Sequence, residues 1–174
     1  MRIGCEMLTR SPKLRFLLLL IASWIVMTTT HEVGHLIGGY LGGGTLQHAE
    51  LRPWRLPHSH FAPDPHPLLT IWSGPLVGVL TPLLVAITIR NASVWFIANF
   101  CVLANGVYLA AAWFSGDPLL DTPRLLAAGA SPLTIAIFCA LTLIWGYPAF
   151  RASCTAILRP QLDEPSDCSN PKSL

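Results

Sequence analysis

Two histidines and a glutamate in the first apolar stretch have the types and the spacing that metal-dependent hydrolysis requires. His31, Glu32 and His35 form the pattern His-Glu-x-x-His. Four residues along a helix turn through about 400°, so the two imidazoles lie on one face, where they can bind a single Zn²⁺. Glu32 lies one step round the helix, in a position to act as general base on a water molecule rather than as a ligand. The pattern therefore predicts a zinc site with hydrolytic capacity.

A catalytic zinc ion takes three protein ligands and keeps one position open, so the two histidines require a further partner. Asp117 and Asp121 follow the third apolar stretch of the chain. When apolar stretches cross a membrane in alternating directions, the C-terminal ends of the first and the third lie on the same side. We therefore predict that one of these two aspartates completes the site. The spacing alone leaves both open, and helix capping is the competing role for each.

The stretches that position these residues are strongly apolar. Hydrophobic residues make up 52% of the 174 residues and charged residues only 11%, whereas soluble domains average about 25% charged. Four stretches reach the roughly 20 apolar residues needed to cross a bilayer, at about 14–41, 68–89, 94–114 and 133–150. We predict an all-α integral membrane protein with four transmembrane helices, the first carrying the histidine pair. Residues 14–150 form the membrane domain, 1–13 an N-terminal segment and 151–174 a polar, disordered tail.

The distribution of charge restricts the orientation and the partners of the chain. Eight of the eleven Lys and Arg residues lie on the side of the two termini and three on the other side. The positive-inside rule therefore predicts that both termini are cytoplasmic. The net charge of +2, without a basic stripe, excludes a nucleic-acid partner. The five cysteines are scattered without a CxxC pair, so we predict neither a disulfide framework nor a cysteine metal site.

A loop from residue 42 to residue 67 separates the first two apolar stretches. It contains five prolines, which exclude a regular helix. It also holds four of the six histidines, at His48, His58, His60 and His66. These histidines could load metal or cover the site as a lid, and the competing interpretation is a flexible loop of solvated side chains.

Small and polar residues near the histidine pair predict close helix packing. Gly34, Gly38 and Gly42 form a row at every fourth position, where a neighbouring backbone can approach. Gly74, followed by proline, is expected to bend or break the second helix and to open space beside the metal. Asn105, in the third apolar stretch, is a candidate for binding the substrate backbone. Interhelical hydrogen bonding is its alternative role.

Three short segments of the chain together resemble the site-2-protease family of intramembrane zinc metalloproteases, and in particular its small members. They are His31-Glu32-Val33-Gly34-His35, Ser73-Gly74-Pro75-Leu76 and Leu120-Asp121. The likeness extends over about residues 20–135. It implies a zinc endopeptidase that cleaves a peptide bond in or near a transmembrane segment of a protein substrate. It assigns the role of catalytic base to Glu32. The zinc ligands that it implies are His31, His35 and Asp121.

Two departures from the family pattern keep alternatives open. Thr122 stands where the family has glycine after the aspartate, and Asp117-Pro118 stands where Asn-Pro is expected, at a shorter spacing. Asp117 therefore remains the alternative third ligand. The family also implies a site near the cytosolic face, whereas the charge distribution places the site nearer the opposite face. The alternative function is a non-proteolytic membrane protein that binds or handles metal with the same residues.

Overall fold

The computed structural model describes residues 11–55 and 57–159. Within these ranges the chain forms five helices and one two-stranded antiparallel sheet. In chain order the elements are α1 (Pro12–Leu41), β1 (Leu46–Glu50), β2 (His58–Phe61), α2 (Pro67–Ile89), α3 (Ala92–Ser115), α4 (Asp121–Ala127) and α5 (Pro132–Leu158).

Four of these helices are long and apolar enough to cross a membrane. α1, α2, α3 and α5 have 30, 23, 24 and 27 residues, and their mean hydropathies reach 1.6 to 1.8. His31, Glu32 and His35 lie in α1. For the described part of the chain, the predicted set of four membrane-length helices with the histidine pair in the first is confirmed. The predicted all-α class needs one correction, because β1 and β2 form a hairpin between α1 and α2.

Local sequence signals explain where the long helices begin and end. Ser11 precedes Pro12, and its hydroxyl accepts a hydrogen bond of 3.5 Å from a backbone N–H in the first turn of α1. Arg90, with a φ of 53°, ends α2 in the left-handed conformation. Asn91 then caps α3 by accepting a hydrogen bond from the Ser93 N–H over 2.8 Å. This short connection makes α2 and α3 an antiparallel pair.

The last helix is longer than the sequence predicts. α5 continues to Leu158, whereas the sequence predicts a disordered tail from residue 151. The amide of Asn99 on α3 donates a hydrogen bond to the Ser153 hydroxyl over 3.0 Å, and Ile157 is buried. These contacts stabilise the additional helical turns. The predicted disorder is therefore wrong for residues 151–158. Residues 160–174, like residues 1–10, lie outside the described part of the chain.

The third long helix, α3, packs against each of the other three. Near its C-terminal end, a buried apolar cluster joins α2, α3, α4 and α5. Its members are Ile71, Leu109, Leu125, Ile135 and Cys139. A helix as short as α4 is not stable by itself in water, so burial of Leu125 is what fixes it against the bundle. The first residue of α4, Asp121, is thereby held in the interior.

Glycines allow α1 and α2 to approach closely. A Cβ at Gly34 would overlap the backbone of Ser73 and Gly74, and a Cβ at Gly38 would overlap the Ser73 side chain. The close approach predicted for the glycine row is therefore present at these two positions. α2 runs continuously with Pro75 inside it, so of the predicted break or bend the helix does not show the break. Gly74 instead provides a flat contact surface for α1.

The segment between α1 and α2 is folded against α1 rather than free. β1 and β2 pair antiparallel. Phe61 of β2 is buried against Gly39, where a Cβ would overlap its ring. The indole N–H of Trp24 donates to the carbonyl of Pro53 over 3.1 Å. Since Trp24 precedes the C-terminal end of α1 by about 25 Å of helix, the tip of the hairpin reaches back along α1 beyond the histidine pair.

Candidate metal centre

Three side-chain atoms from α1 and α4 converge at one point in the interior. The Nε2 atoms of His31 and His35 are 3.1 Å apart, and the Oδ2 of Asp121 lies 2.8 Å from the first and 3.2 Å from the second. All three side chains are buried. Two ligands of a tetrahedral zinc ion with bonds of about 2.0–2.1 Å are themselves about 3.3 Å apart. The triangle therefore matches three corners of such a site after a slight expansion.

The hydrogen bonds of Asn105 determine which nitrogen of His31 carries the proton. The Asn105 amide nitrogen donates to the backbone carbonyl of Cys101 over 2.8 Å. Its Oδ1 is therefore the atom that faces the Nδ1 of His31, at 2.7 Å. Because that oxygen can only accept, Nδ1 donates and the Nε2 lone pair is free. An imidazole held in this way is oriented as metal ligands usually are.

His35 is held by the start of α2. Its Nδ1 donates to the backbone carbonyl of Thr70 over 2.9 Å, which again leaves Nε2 as the free nitrogen. The Thr70 hydroxyl donates to the carboxylate of Asp64 over 3.0 Å, and this bond fixes the first turn of α2. Gly74, one turn further along, lies directly against the His35 ring, where any Cβ would overlap the imidazole. The position of this ring therefore depends on the backbone of α2.

These bonds direct two nitrogen lone pairs at the same carboxylate oxygen. Electron-rich atoms about 3 Å apart repel one another unless a cation or a proton lies between them. Imidazole nitrogen with carboxylate oxygen is a donor set that suits zinc. The arrangement of His31, His35 and Asp121 can therefore hold a divalent metal ion. Its donor atoms, their burial and the committed Nδ1 protons all fit that role.

Asp121 is positioned by α4 and by its neighbours in the chain. The Thr122 hydroxyl donates to the Leu109 carbonyl of α3 over 2.7 Å, which fixes the start of α4. The second carboxylate oxygen of Asp121 lies 3.6 Å from the Arg124 guanidinium. Burial favours the neutral acid, but a proton on the Nε2 of His35 or His31 outweighs it and holds the pKa of the Asp121 carboxyl below its usual range. Asp121 is therefore available as an ionised ligand.

The structure separates the two aspartates that the spacing leaves open. Asp117 is exposed, and its carboxylate accepts a hydrogen bond from the Leu119 N–H over 2.9 Å in the turn before α4. It thus has the local role of a turn residue. Of these two candidates, Asp121 is the one that contacts both imidazoles.

Glu32 lies beside the three converging atoms and does not form part of their triangle. Its carboxylate and the ligand atoms of the two histidines all lie within 4.8 Å of one another. The buried hydroxyl of Ser59 on β2 donates to Glu32 Oε2 over 3.2 Å. A carboxylate this close to both imidazoles can act on a water molecule beside a metal ion held by them.

The residues that position the histidines, Asp121 and Glu32 are the ones that the sequence predicts least well. Asn105 is fully buried, and its amide bonds His31 of α1 and the carbonyl of Cys101, so it makes the interhelical hydrogen bond that is its alternative predicted role. Thr122 carried a signal, since it departs from the glycine of the family pattern. Ser59 carried none, because its position depends on a hairpin that the sequence does not predict.

No protein-family model, no curated protein and no solved structure matches this chain.

Proposed function

We propose that this chain is a zinc-dependent intramembrane endopeptidase. The observation that carries the proposal is the convergence of His31 Nε2, His35 Nε2 and Asp121 Oδ2, with both Nδ1 atoms committed to other partners. Three ligands from protein and one open position are the composition of a catalytic zinc site. The resemblance to site-2 proteases supports the same assignment.

The residues of the chain divide the reaction between binding and proton transfer. A zinc ion, when bound, supplies a Lewis acid that polarises the substrate carbonyl and favours ionisation of water. His31, His35 and Asp121 hold it. Glu32 takes a proton from the water whose oxygen attacks the carbonyl carbon, and it returns that proton to the amine as the peptide bond breaks. No further acid or base is needed to balance the hydrolysis.

The depth of the centre supports a substrate that lies within the membrane. His31 and His35 precede the C-terminal end of α1 by about 15 Å and 9 Å of helix. A peptide bond cleaved there belongs to a transmembrane segment or to its border. A helical segment hides its carbonyl groups in its own hydrogen bonds, so the substrate has to unwind locally before it is cleaved.

The proposed orientation places both termini in the cytoplasm. Among the described residues, the end of the bundle away from the metal centre carries five cations and no carboxylate. These cations are Lys13, Arg15, Arg90, Arg151 and Arg159. Arg15 donates to the Ser93 hydroxyl over 3.0 Å, which brings the starts of α1 and α3 together. The concentration of cations supports a cytoplasmic position for this end, although the family resemblance implies the reverse.

Metal analysis combined with one conservative substitution tests the proposal. Purified protein and its Glu32→Gln variant should each retain about one zinc ion per chain, whereas His35→Ala should lose it. Membranes of cells that express the wild type should contain new N-termini within transmembrane segments, detected by mass spectrometry. The Glu32→Gln variant should produce none. Equal fragment patterns with both proteins would favour a membrane protein that handles metal without proteolysis.

A further inference from the structure

A cleft lies beside the metal centre, and neither metal binding nor proton transfer gives it a role. It has a volume of about 130 Å³, and His31 and Glu32 line one end of it. Trp24, Met27 and Tyr108 provide large apolar walls. From Glu32 to Trp24 the cleft follows α1 for two turns of helix, about 12 Å. Its position next to Glu32 makes it accessible from the bond that is hydrolysed.

We infer that this cleft receives one large apolar side chain of the substrate, such as that of leucine or phenylalanine, next to the cleaved peptide bond. The inference rests on the proposed function, because it takes its reference point from the metal centre. It adds a substrate preference that neither the histidine pair nor Asp121 provides.

The size of the cleft favours a single side chain. A cavity of about 150 Å³ with apolar walls accommodates one benzene ring. The 130 Å³ beside Glu32 therefore suits one aromatic or branched aliphatic side chain. An unwound peptide directs successive side chains to opposite sides at about 3.3 Å intervals. Only one residue next to the cleaved bond can consequently direct its side chain into the cleft.

The residues that line the cleft determine which substrate side chains it can select. In a bilayer, a leucine side chain gains little by moving from lipid to an apolar wall, because lipid is equally apolar. Selection among membrane segments therefore depends on shape. The lining also includes Thr28, Arg55 and Pro57, but most of the surface of the cleft is apolar. A polar side chain between Trp24 and Met27 therefore exchanges water for apolar neighbours, and this loss acts against such substrates.

Small zinc-binding probes separate the cleft from the catalytic reaction. We would titrate the zinc-loaded full chain in detergent with hydroxamates derived from glycine, leucine and phenylalanine. Each compound would be made in two forms, with its side chain on the N-terminal or on the C-terminal side of the zinc-binding group. Both forms are needed because the cleft lies on one side of the cleaved bond only. In one of the two forms, the leucine or phenylalanine hydroxamate should bind at least about tenfold more tightly than the glycine hydroxamate. Burial of such a side chain from water permits a gain of this size.

Two substitutions of Met27 and a matched control test whether the cleft causes this preference. Met27→Trp fills the cleft and should bring the ratio of leucine to glycine affinity close to one. Met27→Ala enlarges it and should move the preference from leucine to phenylalanine. Ile25→Trp adds the same indole to the same helix, but at an exposed position outside the cleft. It should leave the ratio unchanged.

The outcomes distinguish this inference from the proposed function. Zinc-loaded protein that binds all hydroxamates equally, in both forms, would overturn the side-chain cleft and leave the metal centre intact. The same result is expected if a lipid acyl chain, and not a substrate side chain, occupies the cleft. Protein that holds no zinc and binds no hydroxamate would overturn the proposed function, and this inference with it.

Discussion

The Oδ1 of Asn105 on α3 lies 2.7 Å from the Nδ1 of His31 on α1, and the same amide lies against Gly78 on α2. A Cβ at Gly78 would lie only 2.9 Å from that oxygen. One buried side chain therefore contacts two neighbouring helices from a third, and one of these contacts orients His31. In a membrane, where apolar contacts between helices give little driving force, such polar contacts contribute to helix association.

Replacing Asn105 should weaken metal binding although this residue is not a ligand. Asn105→Leu leaves the Nδ1 proton of His31 without an acceptor, so the ring loses the bond that orients it. We expect zinc affinity to fall about 10- to 100-fold, as for other partners of metal-binding histidines. Asn105→Asp keeps an acceptor for Nδ1 and should retain more of the affinity. Competition with a fluorescent chelator measures both variants.

Asn99→Leu is the matched control for this prediction. Asn99 lies on the same helix and also makes an interhelical bond, which is partly buried, but its partner is Ser153 on α5. Its loss should lower the thermal unfolding temperature and leave zinc affinity unchanged. If Asn105→Leu and Asn99→Leu had the same zinc affinity, Asn105 would have only a packing role.

A single methyl group at Gly74 should displace a ligand. The added Cβ of Gly74→Ala overlaps the His35 imidazole, which has no space to move while Nδ1 bonds the Thr70 carbonyl. We expect a loss of stability of about 1–3 kcal/mol from overpacking, together with reduced zinc content. Gly42→Ala is a milder substitution, since its Cβ would lie 3.1 Å from the nearest atom and far along α1 from the histidines. Metal analysis and thermal unfolding of the two variants should therefore differ.

The sequence predicts best those features that depend on neighbouring residues. His31 and His35 share one helix, so their spacing alone places both rings on one face. The four long helices are likewise predicted by continuous apolar stretches. Asp121 is different, because its position depends on the bond from Thr122 to the Leu109 carbonyl and on burial of Leu125. Neither contact is visible in spacing, so the sequence leaves two aspartates as candidates.

Two errors in the sequence-based prediction have the same origin. The hairpin of β1 and β2 lies in a proline-rich segment, and its order depends on packing of Phe61 against Gly39. The final turns of α5 depend on a bond between Ser153 and Asn99, which are distant in the chain. In both cases, contacts between separate elements override the local tendency to form a loop.

The proposed topology predicts opposite accessibility of two exposed positions. Lys13 lies in the first turn of α1, and Leu119 lies in the connection between α3 and α4; both side chains are exposed. In a background without cysteine, Lys13→Cys and Leu119→Cys should react with a membrane-impermeant maleimide from opposite sides of sealed vesicles. Lys13→Cys should react from the cytoplasmic side. Reaction of both positions from one side would contradict an α1 and an α3 that each cross the membrane.

The third ligand is the assignment on which the protease proposal depends most. Asp121 and Asp117 are four residues apart, yet only Asp121 is buried and within 3.2 Å of both Nε2 atoms. Removing it leaves two ligands, which is fewer than a catalytic zinc site requires. Asp121→Ala should therefore lower zinc affinity by more than the roughly 100-fold that loss of a supporting residue reaches.

Asp117→Ala is the control for Asp121→Ala, because it removes a carboxylate from the same connection. Asp117 accepts only a turn hydrogen bond from the Leu119 N–H and is exposed. Its replacement should cost no more than about 0.5–1.5 kcal/mol of stability, the range for one hydrogen bond, and zinc affinity should stay close to that of the wild type. Equilibrium dialysis against a zinc buffer compares the two variants directly. If Asp117→Ala lost zinc and Asp121→Ala kept it, the ligand set would be His31, His35 and Asp117, and the connection before α4 would have to rearrange on metal binding.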